Sequence, residues 1–132
     1  MAKTIGMLIS PQATQDQISN ALNDKDYRVR IAAIAHPNAT LEHVTKALDD
    51  RHHAVRRNAI RHRNATPEHI SKALNDRSYG VRVHAVRHPN ALMEHILKAL
   101  DDKDDEVRAN AKWSKILRPI WNTYLEVEIV NG

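Results

Sequence analysis

The sequence predicts an all-α fold, a short right-handed α-solenoid of four two-helix repeats of 26 residues. A cap is expected at each end, with a β-strand in the C-terminal tail. Three observations predict it. Residues 39–64 and 65–90 agree at 15 of 26 positions, and looser copies occupy 13–38 and 91–116. A fixed period in the twenties marks units that bury their apolar faces by stacking on one another. Inside each copy, apolar residues recur at i, i+3 and i+4, one narrow helix face. The core is also built from few residue types. There is no Phe, and Ala, Val, Ile and Leu supply most apolar positions, so thin helical layers can approach closely.

The chain opens with residues 1–12, read as an N-terminal cap of half a repeat. Its Met7, Leu8 and Ile9 fall where later copies carry the apolar end of a second helix. First helices then begin at Thr14, Thr40 and Thr66, whose hydroxyls can accept a bond from an unpaired backbone N–H. Pro67 suits the first helical position, where its missing N–H costs nothing. Leu92 replaces the threonine in the fourth copy, which predicts a weaker start. Asp16, Glu42, Glu68 and Glu94 set negative charge at the positive end of each helix. Lys46, Lys72 and Lys98 follow Glu42, Glu68 and Glu94 by four residues, the spacing of helix ion pairs on a solvated face. The buried triplets are Ile18/Ala21/Leu22, Val44/Ala47/Leu48, Ile70/Ala73/Leu74 and Ile96/Ala99/Leu100.

Asn23-Asp24, Asp49-Asp50, Asn75-Asp76 and Asp101-Asp102 supply the turn, since such side chains bond nearby backbone. Second helices carry Val29, Val55, Val81 and Val107, then Ala33, Ala59, Ala85 and Ala111 one turn later. His36-Pro37-Asn38 and His88-Pro89-Asn90 end two of them, because proline disfavours helix in the residue before it. The period breaks after Ile116, and residues 117–132 form a C-terminal cap and tail with larger apolar groups. Within it Leu125, Val127 and Ile129 alternate with Glu126 and Glu128. That is strand period, and a lone strand has no partner in an all-helical stack: either the segment pairs with another chain or mediates self-association, or it is frayed helix.

The residues Asp50, Val55, Arg56, Ala59, Asn64, Ala65, Thr66 and Leu74, with their equivalents 26 residues either side, resemble the leucine-rich variant (LRV) repeats, relatives of HEAT repeats. The resemblance spans roughly residues 13–112. It implies a helical scaffold, and similar repeats occur in small proteins of bacteria and their tailed bacteriophages. A scaffold of this kind serves many unrelated uses. One member of that family binds an iron–sulfur cluster through cysteines, which this chain lacks.

Composition narrows the functional classes. Without cysteine there is no disulfide, thiol catalysis or iron–sulfur ligation. No apolar run approaches a membrane span, no secretory signal is recognisable, and the cytoplasm is the expected location. Only three glycines are present, with no glycine-rich phosphate loop and no Gly-x-Ser-x-Gly turn. No enzyme activity and no cofactor are expected. The nine histidines fall mostly in columns, His43/His69/His95 and His36/His62/His88. Helices stacked about 8–10 Å apart hold such residues too far apart to share a metal.

Arg30, Arg56, Arg82 and Arg108 recur in step with Asp24, Asp50, Asp76 and Asp102. They read either as phosphate contacts or as structural partners of an aspartate in their own or the next repeat, and the strict recurrence favours structure. Positions that differ between copies are the candidates for function. These are Arg28/Ala54/Gly80/Glu106, Ile31/Arg57/Val83/Ala109 and Ala35/Arg61/Arg87/Trp113. Residues 51–63 hold five arginines and no acid, and the net charge is +4. Arg28, His53, Arg57, Arg61, Arg63 and Arg87 are therefore the candidate partner-binding residues, with Leu125, Val127 and Ile129 for self-association. Either these cations form a basic face, or acids such as Asp104, Asp105 and Glu106 neutralise them. A basic face would make the chain a protein-interaction scaffold for an acidic partner. Binding of a nucleic-acid backbone by the same face is the alternative.

Overall fold

Residues 2–131 are described in a computed structural model, the side chains of residues 2–4, 9 and 129–131 excepted. They form α1 (Ala2–Ile9), α2 (Gln15–Ala21), α3 (Tyr27–Ala35), α4 (Leu41–Ala47) and α5 (His53–Arg61). These are followed by α6 (Pro67–Ala73), α7 (Tyr79–Arg87), α8 (Met93–Ala99), α9 (Asp105–Lys112) and α10 (Arg118–Asn131). The second helices α3, α5, α7 and α9 pack one on the next as a continuous layer, and α1 packs on α3. The first helices α4, α6 and α8 each bridge two members of that layer. No helix among the described residues is long and apolar enough to cross a membrane.

Local chemistry sets each first helix. The Thr14, Thr40 and Thr66 hydroxyls accept the N–H three residues on, and Pro67 occupies the first helical position of α6. Leu92 provides no side-chain acceptor for the start of α8. Second helices are capped by a column just past the turn residues, one that the sequence reading did not single out: Asp26, His52 and Asp104 accept the N–H two residues on. Val29, Ala33, Val44, Val55, Ala59, Ile60, Ile70, Val81, Ala85, Val107 and Ala111 are wholly buried. Full burial of each Val or Ile contributes about 1.5–3 kcal/mol.

Two polar ladders thread this apolar spine. Arg30, Arg56 and Arg82 are buried, and each Nε donates to the aspartate of the following repeat, Asp50, Asp76 and Asp102, at 2.8, 2.8 and 2.9 Å. Their Nη1 atoms donate to the carbonyls of Asp24, Asp50 and Asp76 in their own repeat. Arg30, Arg56 and Arg82 are therefore structural and unavailable to phosphate.

The histidines form the second ladder. Nδ1 of His43, His69 and His95 accepts the N-cap backbone N–H of Thr40, Thr66 and Leu92. That leaves the proton on Nε2, which donates to the preceding repeat's Ser19, Thr45 and Ser71 hydroxyls. His36, His62 and His88 work alike at the other end. Nδ1 takes the N–H of Asn38, Asn64 and Asn90, while Nε2 donates to the carbonyls of Ser10, His36 and His62.

Three expectations are corrected. Residues 125–129 are helical, not a strand, for they lie within α10. An all-helical stack offers no sheet edge, and Leu117 and Trp121, four residues apart, dock the start of that helix on the core. The Leu/Glu/Val/Glu alternation wraps around a helix instead of splitting between two faces; the Ile129 side chain lies outside the described residues. Lys46, Lys72 and Lys98 do not pair with the glutamates four residues earlier. They reach back to Asn23, Asp49 and Asn75 in the preceding turn. Lastly, Ala54 and Val83, expected to face outward, are buried.

Candidate functional site

The second helices leave one side clear of the stack. Along α5 it presents Arg57, Asn58 and Arg61, and along α7 His84 and Arg87. Arg57 is half-buried in a column between half-buried Ile31 and buried Val83. Arg61, Arg63 and Arg87 are exposed. Arg61 and Arg63 line a shallow groove with Ala35, Pro37 and Asn58. The adjoining groove contains Arg87, Pro89, Asn110, Trp113, Lys115 and Arg118. Together they make a basic strip along the C-terminal ends of the second helices, where positive charge also complements the helix dipoles.

Among the described residues, Arg57, Arg61, Arg63 and Arg87 form no ion pair. The carboxylates within reach of a cation belong to Asp26, Asp49, Asp50, Asp76 and Asp102, each taken by another side chain. Asp104, Asp105 and Glu106 sit at the opposite, N-terminal end of α9, with Asp104 engaged as its cap.

His84 is the residue that sequence reasoning missed. It stands half-buried on α7 within the electrostatic reach of Arg61, Arg87 and Arg57. Burial first, and then those three cations, push its pKa below the ordinary 6.5. The signal was present in the column Ala32/Asn58/His84/Asn110, which varies from repeat to repeat like the columns singled out. Next to it, Asn58 is held by a bond to the Ala54 carbonyl at 2.7 Å.

The other two candidates lie elsewhere. Arg28 occupies the first turn of α3 and clasps Asp26 through Nε and Nη2 at 3.1 and 2.8 Å. That side-chain contact holds the Asp26 carboxyl down at about 2. His53 opens α5, its ring against His52 at 4.9 Å, and His52 in turn stacks on Tyr27 at 3.9 Å. Along the helix axis, at about 1.5 Å per residue, His53 sits about 12 Å from the level of Arg61, and Arg28, whose counterpart in α5 is Ala54, about 10 Å. The structure therefore brings together Arg57, Arg61, Arg63, His84 and Arg87, and leaves Arg28 and His53 at the far edge. Among the described residues no group of three His, Cys, Asp or Glu is placed to hold a metal ion. No protein-family model matches the chain, and no curated protein matches it either.

Proposed function

We propose that this chain is a non-enzymatic interaction scaffold of the LRV/HEAT-like kind that docks an acidic protein segment on its basic second-helix face. One observation carries the reading: the guanidiniums of Arg57, Arg61 and Arg87 on adjacent helices, and of Arg63 just past the end of α5, form no ion pair among the described residues. An acidic segment would supply the missing charge. It would also relieve the repulsion that those cations exert on His84. The ground between the arginines favours a protein segment over a phosphate backbone. Ala35, Ile31 and Val83 make it small and partly apolar. A helix or extended peptide with acidic and apolar residues fits that mixture.

The experiment is an anisotropy titration of the full chain with a Glu-rich amphipathic peptide, and with single-stranded and duplex DNA and RNA, across salt. Micromolar peptide binding that weakens by about tenfold or more in Arg57→Glu/Arg61→Glu, and is unchanged in Arg28→Gln, supports the proposal. Tighter binding to nucleic acid with a steep salt slope would transfer the face to that ligand. No binding of either at low salt ends the proposal.

A further inference from the structure

We propose that the groove between the ends of α7 and α9 is the anchor pocket of the docking face. It takes one tyrosine or tryptophan of the partner, flanked by carboxylates, whose O–H or N–H meets the His88 carbonyl. This inference rests on the reading of that face as a dock for an acidic protein segment, and it names the residue that the segment must carry.

The pocket lies where the second histidine ladder stops. His36, His62 and His88 each donate Nε2 to a carbonyl one repeat back, those of Ser10, His36 and His62, at 2.8, 3.1 and 2.9 Å. The fourth repeat has Ser114 in that place. Its backbone keeps the geometry, for the Ser114 N–H donates to the Ala111 carbonyl as the His88 N–H does to that of Ala85. Its side chain does not. The hydroxyl accepts the Leu117 N–H at 3.3 Å and so serves its own turn. The His88 carbonyl still accepts the Ala91 N–H, but among the described residues no side chain donates to it. A carbonyl oxygen has two lone pairs, and the carbonyls of His36 and His62 use both.

The surroundings of that oxygen select the occupant. The groove has a volume of about 370 Å³, at the low end of the ~300–1,000 Å³ of sites that hold small ligands, and so has room for one large side chain. Buried Val86 and Ile96, half-buried Ile116 and Trp113, 50% exposed, give it apolar surface. Such a lining favours a large apolar body. Arg87, Lys115 and Arg118 are exposed and line the same groove, and no carboxylate does so among the described residues. Arg118 Nη2 donates to the Trp113 carbonyl at 3.0 Å, which fixes one of these cations beside the apolar wall. Three cations turn away lysine or arginine as the donor and favour aspartate or glutamate next to the anchor. Tyrosine and tryptophan combine an aromatic body with a neutral polar hydrogen at its tip. They are also the side chains that most often anchor a protein partner in a pocket.

The test is a titration of the full chain with Glu-rich peptides identical but for one central residue, Tyr, Phe or Ala. The tyrosine peptide should bind about tenfold tighter than the alanine peptide, with phenylalanine between them. Ser114→His puts an imidazole back against the His88 carbonyl. That variant should melt no lower than the wild type and should bind the three peptides equally. Trp113→Ala, at an exposed position, should also shrink the preference for tyrosine. The Trp113 indole N–H resonance, identified by its loss in Trp113→Phe, should move with the tyrosine peptide and stay in place with the alanine peptide. Equal binding of the three peptides to the wild type would overturn the pocket and leave the docking of acidic segments standing. No peptide binding would overturn both. A tyrosine preference that survives Ser114→His, or phenylalanine as good as tyrosine, would overturn the pocket alone. So would a single-stranded oligonucleotide that displaces the peptides and depends on Trp113, since the groove would then stack a base.

Discussion

Arg56 and Asp76 stand 20 residues apart in the chain, yet Nε of the one lies 2.8 Å from Oδ2 of the other. The same guanidinium donates through Nη1 to the Asp50 carbonyl of its own repeat at 2.9 Å. One side chain thus closes a turn and fastens the next repeat to it. Arg30–Asp50 and Arg82–Asp102 repeat the arrangement on either side. At the C-terminal end the ladder stops: Arg108 donates to the Asp102 carbonyl at 2.7 Å but is exposed, with no following repeat to supply an aspartate.

That asymmetry makes a prediction within one molecule. Arg56→Ala leaves Asp76 buried without its cation and should cost about 3–5 kcal/mol, whereas Arg108→Ala should cost no more than about 1 kcal/mol. Urea unfolding of the two variants measures the contrast. Equal losses would mean that the buried pairs contribute nothing beyond the backbone bonds both arginines make.

The period, the helix pairs and the apolar columns were all legible in the sequence, because duplication prints every buried position four times. The partner of each arginine was not. Asp24 and Asp50 are equally regular relative to Arg30, and only the stacking geometry selects the second. His69 was legible as a member of a column but not as a cap, since glutamine or glutamate is the usual side chain three residues past a capping threonine. Gln17 at the equivalent place in α2 was the clue. The tail misled for a different reason. Over five residues, alternation from Leu125 to Ile129 cannot be told from one and a half turns of helix whose far side is exposed. His84 was overlooked because a single polar residue in an outward column carries no weight until Arg57, Arg61 and Arg87 are placed around it.

His69 carries a pH dependence whose sign is fixed. Burial is the main cause that lowers the pKa of His43 and His69 below 6.5. The unfolded chain therefore takes up protons before the folded one. Stability is complete above about pH 6.5 and falls as pH drops below it. The hydrogen bonds give the same sign, because Nδ1 accepts the Thr66 N–H and cannot do so once protonated. In α2, Gln17 Oε1 accepts the Thr14 N–H at 2.9 Å. His69→Gln should therefore cost less than about 1 kcal/mol at neutral pH, against about 1–2 for His69→Ala. It should also shallow the acid loss. Unfolding midpoints at about pH 7.5 and about pH 5.5 measure both effects.

His84 reports on the charge around it. Arg61 is the leading cation among those that hold its pKa down, after burial. Arg61→Gln should move the imidazole pKa up, and Arg28→Gln, at the far edge, should leave it in place. Saturation with an acidic peptide should shift it in the same direction as Arg61→Gln, so peptide affinity should rise as pH falls through the His84 transition. Histidine ring resonances followed by NMR across pH give the shift directly. A pKa indifferent to Arg61→Gln would mean that the cations do not converge on His84.

Gly80 opens the exposed side of α7, and nothing in the fold requires it to be glycine. No described glycine has a positive φ, and a Cβ built on Gly80 meets only Ser78 Oγ at 3.7 Å, an ordinary contact. Ala54 holds the equivalent place in α5 and is buried there without strain. Gly80→Ala removes backbone freedom from the unfolded chain and should stabilise the protein by about 0.5 kcal/mol, raising Tm by about 2 °C. Binding of the acidic peptide should be unchanged by a methyl group. Ala35→Trp, by contrast, at the exposed position level with Arg61 on the neighbouring helix, should leave the fold intact and fill the groove beside Arg61, weakening binding without removing a charge. Calorimetry and the same peptide titration separate the two effects. If Ala35→Trp bound the peptide as tightly as the wild type, the ligand would touch only the arginine tips and not the apolar ground beside them.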